Sequence, residues 1–172
     1  MSTDMTTGRV WRVGADIDTD VLAPGAWMKH GIDVIAQHCL EAVRPDFAPG
    51  VSSGDLLVAG PNFGIGSSRE QAAGALRELG LAAVVAPSYS GLFFRNAFNL
   101  GLLLLTCDEA QSMAEGEHWQ ISFDPESGPP RLRGPGGRVL ECAPIPGFLY
   151  DMVRAGGLLQ LLKQRYTRPS HA

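Results

Sequence analysis

Leu56-Leu57-Val58-Ala59-Gly60-Pro61-Asn62-Phe63-Gly64-Ile65-Gly66-Ser67-Ser68-Arg69-Glu70-Gln71 is the stretch on which the fold turns. Its first four residues form an unbroken apolar run, the pattern of a short buried strand. Residues 60–66 are rich in glycine, and 67–79 read as a helix. Gly80 follows in the position where a helix end favours a left-handed residue. Working outward, Ala82-Ala83-Val84-Val85-Ala86 reads as a second strand, 89–100 as a second helix followed by Gly101, and 102–105 as a third strand. Strand, helix, strand, helix, strand predicts an α/β fold whose parallel sheet is built by right-handed crossovers.

The flanks are less regular. Residues 9–13 alternate as a strand does, and Pro24-Gly25 signals a turn. Over 33–43 the apolar residues recur at helical spacing, with Ile32, Ile35, Ala36, Cys39, Leu40 and Val43 on one face and Pro45 as the stop. Toward the C-terminus, a Pro/Gly-rich turn region at 128–137 separates two strand candidates, 119–123 and 139–143, which predicts a hairpin added to the core. Residues 148–166 read as a helix weakened by Gly156-Gly157, and the last six residues as a loose end.

Composition narrows the function classes. The chain has 172 residues and a formal net charge of -4, without a Lys/Arg block, which argues against nucleic acid as a partner. Its start has no apolar segment of the secretory type, and no apolar run reaches the length of a membrane span. No membrane association and a cytoplasmic location are the expectation. Cys39, Cys107 and Cys142 are far apart and odd in number, so they read as buried apolar side chains, with neither a disulfide framework nor a metal site in this chain alone. His30, His38, His118 and His171 show no ligand spacing.

The chemistry concentrates in the loop. A glycine-rich turn from a strand into a helix presents free amides and the positive end of a helix dipole, a geometry that suits anions. Gly64 and Gly66 permit backbone angles that other residues resist. Ser67, Ser68 and Arg69 then offer two hydroxyls and a guanidinium fork to a carboxylate. The competing local reading is a plain capping box, which both Ser67-x-x-Glu70 and Ser68-x-x-Gln71 fit. A nucleotide loop is a third reading, weakened by the missing third glycine and the missing P-loop lysine. Asp18 and Asp20 could form a carboxylate pair, or fix a turn through hydrogen bonds to nearby amides.

Asn62-Phe63-Gly64-Ile65-Gly66-Ser67-Ser68-Arg69-Glu70-Gln71 resembles the signature loop of the 3-isopropylmalate dehydratase small subunit and aconitase swivelling-domain family. The neighbouring segments match in order: Asp18-Thr19-Asp20 with Pro24-Gly25, Gly54-Asp55-Leu56-Leu57-Val58-Ala59-Gly60, Ala86-Pro87-Ser88-Tyr89, Phe93-Phe94-Arg95-Asn96-Ala97 and Asn99-Leu100-Gly101-Leu102. The likeness covers about 13–106. It departs at Ile65, where the small subunits carry Cys and aconitases Glu, and at Gln71, where the family has His.

The resemblance implies a layered β/β/α swivelling domain with a parallel core and an added hairpin. It implies a single domain over 1–172, with a core at about 9–145 and a C-terminal helix at about 148–166. It implies the small subunit of a hydro-lyase that isomerises a small hydroxy-carboxylic acid by removing and re-adding water. The [4Fe–4S] cluster would belong to a large aconitase-like partner subunit, leaving none bound by this chain alone. Ser67 would be the catalytic base, with Ser68, Arg69, Gly64 and Gly66 binding substrate. Lys29, in Ala26-Trp27-Met28-Lys29-His30, lies in the stretch that sets substrate choice. A cation there favours an extra carboxylate, as in homoaconitase-type relatives, whereas Trp27 and Met28 favour an apolar group; a solvent-facing Lys29 is the bland reading. A methylcitrate- or dimethylmalate-type hydro-lyase, a non-catalytic anion- or nucleotide-binding module and a partner that has lost catalysis are the alternatives.

Overall fold

The computed structural model of the chain describes residues 4–167; His171 and nearly all of the end that reads as loose lie outside that range. Strand β1 (Asp4–Arg12) opens the fold and leads through an irregular stretch to a short helix α1 (Thr19–Leu22). A single helical turn at Gly25–Trp27 precedes α2 (Ile32–Gln37), and α3 (Phe47–Gly50) precedes β2 (Leu56–Val58). Then come α4 (Gln71–Glu78), β3 (Ala83–Ala86), α5 (Gly91–Asn99) and β4 (Leu104–Thr106). Strands β5 (His118–Phe123), β6 (Arg131–Arg133) and β7 (Val139–Glu141) follow, and α6 (Gly147–Ala155) and α7 (Leu158–Thr167) complete the described chain.

All seven strands join one sheet in the order β4-β3-β2-β1-β5-β6-β7. The first four are parallel, in register Val10↔Leu56, Leu56↔Ala83 and Val84↔Leu104. The three crossovers step the same way along the sheet, so right-handed connections put their helices on one face. There α2 packs on α4, α4 on α5, and α5 on α6. β1 divides its length between two partners. Val10 to Arg12 pair with β2, whereas Asp4 to Arg9 pair antiparallel with β5. β2 and β3 are buried at every residue, the mark of strands covered on both faces. In β5, by contrast, burial alternates, with Trp119, Ile121 and Phe123 inward.

The parallel core has the order that the sequence reads, and outside it the structure changes several details. β1 starts at Asp4, where pairing with β5 extends it beyond the alternating 9–13. The added unit has three strands, because Arg131-Leu132-Arg133 forms β6 inside the Pro/Gly-rich region and pairs with both β5 and β7. The 33–43 helix stops at Gln37: Leu40 takes a φ of 63° and its amide reaches the Val21 carbonyl at 3.0 Å, so a tertiary bond replaces further helix. Val43, assigned to the buried face, is exposed. The C-terminal helix is split at Gly156 and Gly157, whose φ values of 89° and 122° suit glycine alone, and the Gly157 amide closes α6 onto the Met152 carbonyl.

Candidate active site

Three segments leave the carboxyl ends of β1, β2 and β3 and meet, which is where open α/β sheets place their binding crevices. The loop after β2 lies between the other two. On one side the Gly64 amide donates to the Ile17 carbonyl (2.7 Å) and the Thr19 amide to the Ile65 carbonyl (2.8 Å). On the other, the Phe63 amide donates to the Ser88 carbonyl (3.1 Å) and the Ser90 amide to the Phe63 carbonyl (2.9 Å). The bridges Asp18↔Ile65 and Phe63↔Tyr89 are parallel, so the sheet's pattern continues past the ends of its strands. Gly64 is essential to this course. Its φ is 81°, and a Cβ there would lie 2.2 Å from the Phe93 ring.

The loop holds Ser67, Ser68 and Arg69 before the helix, not on its first turn. α4 begins at Gln71, its N-cap is Glu70, and no side chain caps it. The capping-box reading therefore fails, and the serine hydroxyls are not tied up as caps. Ser67 Oγ instead accepts a hydrogen bond from Arg69 Nε (3.0 Å) and lies 3.2 Å from Thr19 Oγ1. Arg69 Nη1 donates to Asp20 Oδ1 (3.1 Å) and to the Ala23 carbonyl (2.8 Å), which fixes the guanidinium plane. The fork expected to grip a carboxylate is thus half occupied, and Nη2 is the nitrogen with no acceptor among the described residues. The amides of Gly66, Ser67 and Ser68 likewise donate to no acceptor among the described residues. Ser67 and Ser68 are exposed and Arg69 is half-buried.

Asp18 and Asp20 serve structure. Asp18 Oδ1 caps α1 by accepting from the Val21 amide at 2.9 Å. Asp20 Oδ1 accepts from the Gly25 amide (3.1 Å) as well as from Arg69, so one carboxylate links the loop after β2 to the turn that carries Trp27 and Lys29. In that turn Trp27 stacks on His38 with ring centroids 3.7 Å apart, and His38 Nδ1 lies 2.6 Å from Glu41 Oε2. Lys29 is exposed, and no contact joins it to Ser67 or Arg69 among the described residues. Gly64, whose amide is bonded and whose surroundings are buried, shapes the loop and offers no free donor. Gln71 is exposed and Ile65 half-buried. Arg95 is exposed on α5, beside an Asn96 whose Nδ2 donates to the Ser68 carbonyl at 3.1 Å.

Thr19 and Asn96 are the residues that sequence reasoning passed over. Thr19 stood between two aspartates that drew the attention, yet it is the buried one of the three and the one that touches Ser67. Beneath the site, Asp55 anchors the turn before β2. Burial works against its ionisation, but the Ser52 amide, the Trp11 indole and Arg9 together hold its carboxyl below the ordinary value of 3.8. Burial pushes the Tyr89 phenol well above its usual range, so it stays a neutral donor to the Leu105 carbonyl at 2.7 Å.

Residues 45–110 match the aconitase C-terminal domain family. Over nearly the whole length the likeness is closer. The 3-isopropylmalate dehydratase small subunit of Sulfurimonas denitrificans is 42% identical across 88% of this chain and 90% of its own. The 3-isopropylmalate dehydratase small subunit 1 of Archaeoglobus fulgidus is 40% identical across 91% and 96%. The chain belongs to the 3-isopropylmalate dehydratase small-subunit family. A crystal structure of 3-isopropylmalate dehydratase from Methanocaldococcus jannaschii superposes with a TM-score of 0.86, at 33% identity, over 95% of this chain and 96% of that one. The family is one of aconitase-type hydro-lyases, and its curled parallel and antiparallel sheet is the sheet described above. The ordered motifs of the sequence resemblance and the fold it implied agree with this assignment.

Proposed function

We propose that this chain supplies the proton-transfer half of a 3-isopropylmalate dehydratase-type active site, with Ser67 as the base that takes the proton from the substrate carbon. The observation that carries this reading is the pair of groups on one exposed hydroxyl: Arg69 Nε, which donates at 3.0 Å, and the Thr19 hydroxyl, 3.2 Å from Ser67 Oγ. A serine is a poor base unless its alkoxide is stabilised. A fixed guanidinium N–H aimed at the oxygen before reaction, and a buried hydroxyl that can donate once the serine proton has left, supply that stabilisation. Arg69 Nη2 and the open amides of Gly66, Ser67 and Ser68 are the groups that would hold the substrate carboxylate.

An exposed Ser67 is half a site, which supports a large aconitase-like partner closing over it. The [4Fe–4S] cluster that such enzymes use does not fit this chain. Cys39, Cys107 and Cys142 are buried, and no group of three or more His, Cys, Asp or Glu able to hold a metal occurs among the described residues. Cluster ligation therefore falls to the partner, and the residues of this chain bind, orient and deprotonate. The compartment proposed is the cytoplasm. No described helix is long and apolar enough to cross a membrane.

For the substrate, isopropylmalate is proposed over a tricarboxylate, because Trp27 and Met28 pack on the core while Lys29 is exposed and makes no contact with the loop among the described residues. The test is reconstitution with the large subunit, followed by assay of water elimination from 2- and 3-isopropylmalate, homocitrate and methylcitrate. Activity confined to the isopropylmalates, unchanged in Lys29→Met, agrees with the proposal. A switch in preference in Lys29→Met contradicts it and moves the chain to the homoaconitase type.

A further inference from the structure

β4 and β7 are the two edges of the sheet, yet beyond their ends they meet. The Ala143 amide donates to the Thr106 carbonyl at 2.8 Å. β4 runs parallel to β1, and three successive antiparallel pairings bring β7 round in the opposite sense, so the seam is antiparallel. Residues one step on from a bonded antiparallel pair face each other with Cα atoms about 4.5 Å apart. At this seam those residues are Cys107 and Cys142. Disulfides span Cα separations of roughly 4.4–6.8 Å, so the register suits one.

The Cys107 thiol reaches across the seam, its Sγ 3.9 Å from the Glu141 carbonyl. The neighbouring Cys142 thiol holds Cys107 below the ordinary thiol range, while Cys107 and burial push Cys142 above it. Both side chains are buried, but Asp108, Glu141 and Ala143 beside them are exposed, so the pair lies just under the surface. Cys39 is wholly buried, and burial alone pushes its thiol up.

We propose that Cys107 and Cys142 form a reversible dithiol–disulfide site, oxidised by a hydroperoxide, that fastens the two sheet edges together. The Cys107 thiolate attacks one peroxide oxygen, the O–O bond breaks, and Cys107 sulfenic acid forms with release of water. The Cys142 sulfur then attacks the Cys107 sulfur, the S–O bond breaks, a second water leaves, and the S–S bond closes. Two thiols lose two electrons and two protons, and one hydrogen peroxide becomes two waters. Thiol–disulfide exchange with a dithiol reductant reverses the step, as a regulatory bond in a reducing compartment requires. The site lies close to the catalytic loop. Tyr89 bonds the carbonyl of Leu105, on β4 next to the seam, and packs edge-on against Phe63.

The test uses the full chain treated with hydrogen peroxide, unfolded in alkylating reagent and analysed by mass spectrometry. The expected result is a chain lighter by two hydrogens, with one alkylated cysteine, Cys39, and a linked Cys107–Cys142 peptide pair that a dithiol reductant separates. Cys142→Ser should stop at Cys107 sulfenic acid, trapped by a cyclic dione, and Cys39→Ser should leave the link unchanged. Three alkylated cysteines in the peroxide-treated wild type, or a link through Cys39 or to a second chain, overturn the proposal, and this wild-type readout stands even where a variant fails to fold.

Discussion

The parallel and antiparallel halves of this sheet are built from different sequence patterns and do different work. In β2 and β3 every residue is buried, and the loops at their carboxyl ends hold the candidate active site. In β5, β6 and β7 burial alternates, and the inward residues Trp119, Leu132 and Leu140 close the core without reaching the site. Fully buried strands are fixed from both faces, so the ends of β2 and β3 can hold loops to the accuracy that proton transfer needs. A half-buried sheet supplies apolar area and a boundary. The difference teaches that position along the sheet, more than distance in sequence, decides which glycines and hydroxyls become functional.

That comparison breaks most readily at Trp119. It is fully buried, with Arg138 over its ring at 4.9 Å, and a Cβ on Gly134 would lie 2.5 Å from it. Trp119→Ala should cost about 3–5 kcal/mol in denaturant unfolding, while kcat per folded complex stays unchanged. A fall in kcat in fully folded complex would show that the antiparallel half reaches the chemistry after all. Gly64→Val is the counterpart in the parallel half. With a Cβ driven into Phe93, it should cost about 3 kcal/mol of stability and abolish turnover, and normal kcat in this variant would show the loop course to be dispensable.

Smaller effects sharpen the site. Thr19→Val keeps the buried shape and removes the hydroxyl partner of Ser67, so kcat should fall about tenfold, equivalent to about 1.4 kcal/mol, with KM held within a factor of two. A change in KM alone would assign Thr19 to binding. The smallest effect belongs to Asp55. Its folded pKa lies below its unfolded value, so its stabilisation is present above the ordinary carboxylate range and is lost as pH falls through the lower, folded value. Urea unfolding between pH 6 and pH 2 should show a stability loss on acidification that is about 1 kcal/mol smaller in Asp55→Asn. Parallel curves for the two proteins would remove Asp55 from the acid response.

How much of this was legible from sequence follows from the same contrast. The parallel core was readable because 56–59 and 82–86 are unbroken apolar runs punctuated by Gly80 and Gly101. Strand β6 was not, because three residues between Pro130 and Gly134 carry too short an alternation to stand out. Helix 33–43 was overextended because periodicity cannot register the pull of the Val21 carbonyl on Leu40. In the site, the capping box misled for a general reason. Ser-x-x-Glu spacing is local, but one of the two partners of the Ser67 hydroxyl, Thr19, is 48 positions away. Resemblance pointed to Ser67 and Arg69 where local pattern favoured a cap, and it gave no hint that Cys107 and Cys142, 35 positions apart in a chain of 172 residues, face each other at the seam.

The central claim is that Ser67 is the base, held by Arg69 and Thr19. Ser67→Ala in the complex reconstituted with the large subunit tests it directly, by steady-state turnover of 3-isopropylmalate alongside proof that the subunits still associate. The account predicts a fall in kcat of about a thousandfold, in the range for loss of a general base, with KM changed little. Turnover within a few-fold of wild type in an intact complex would contradict it and return the loop to the role of an anion-friendly turn.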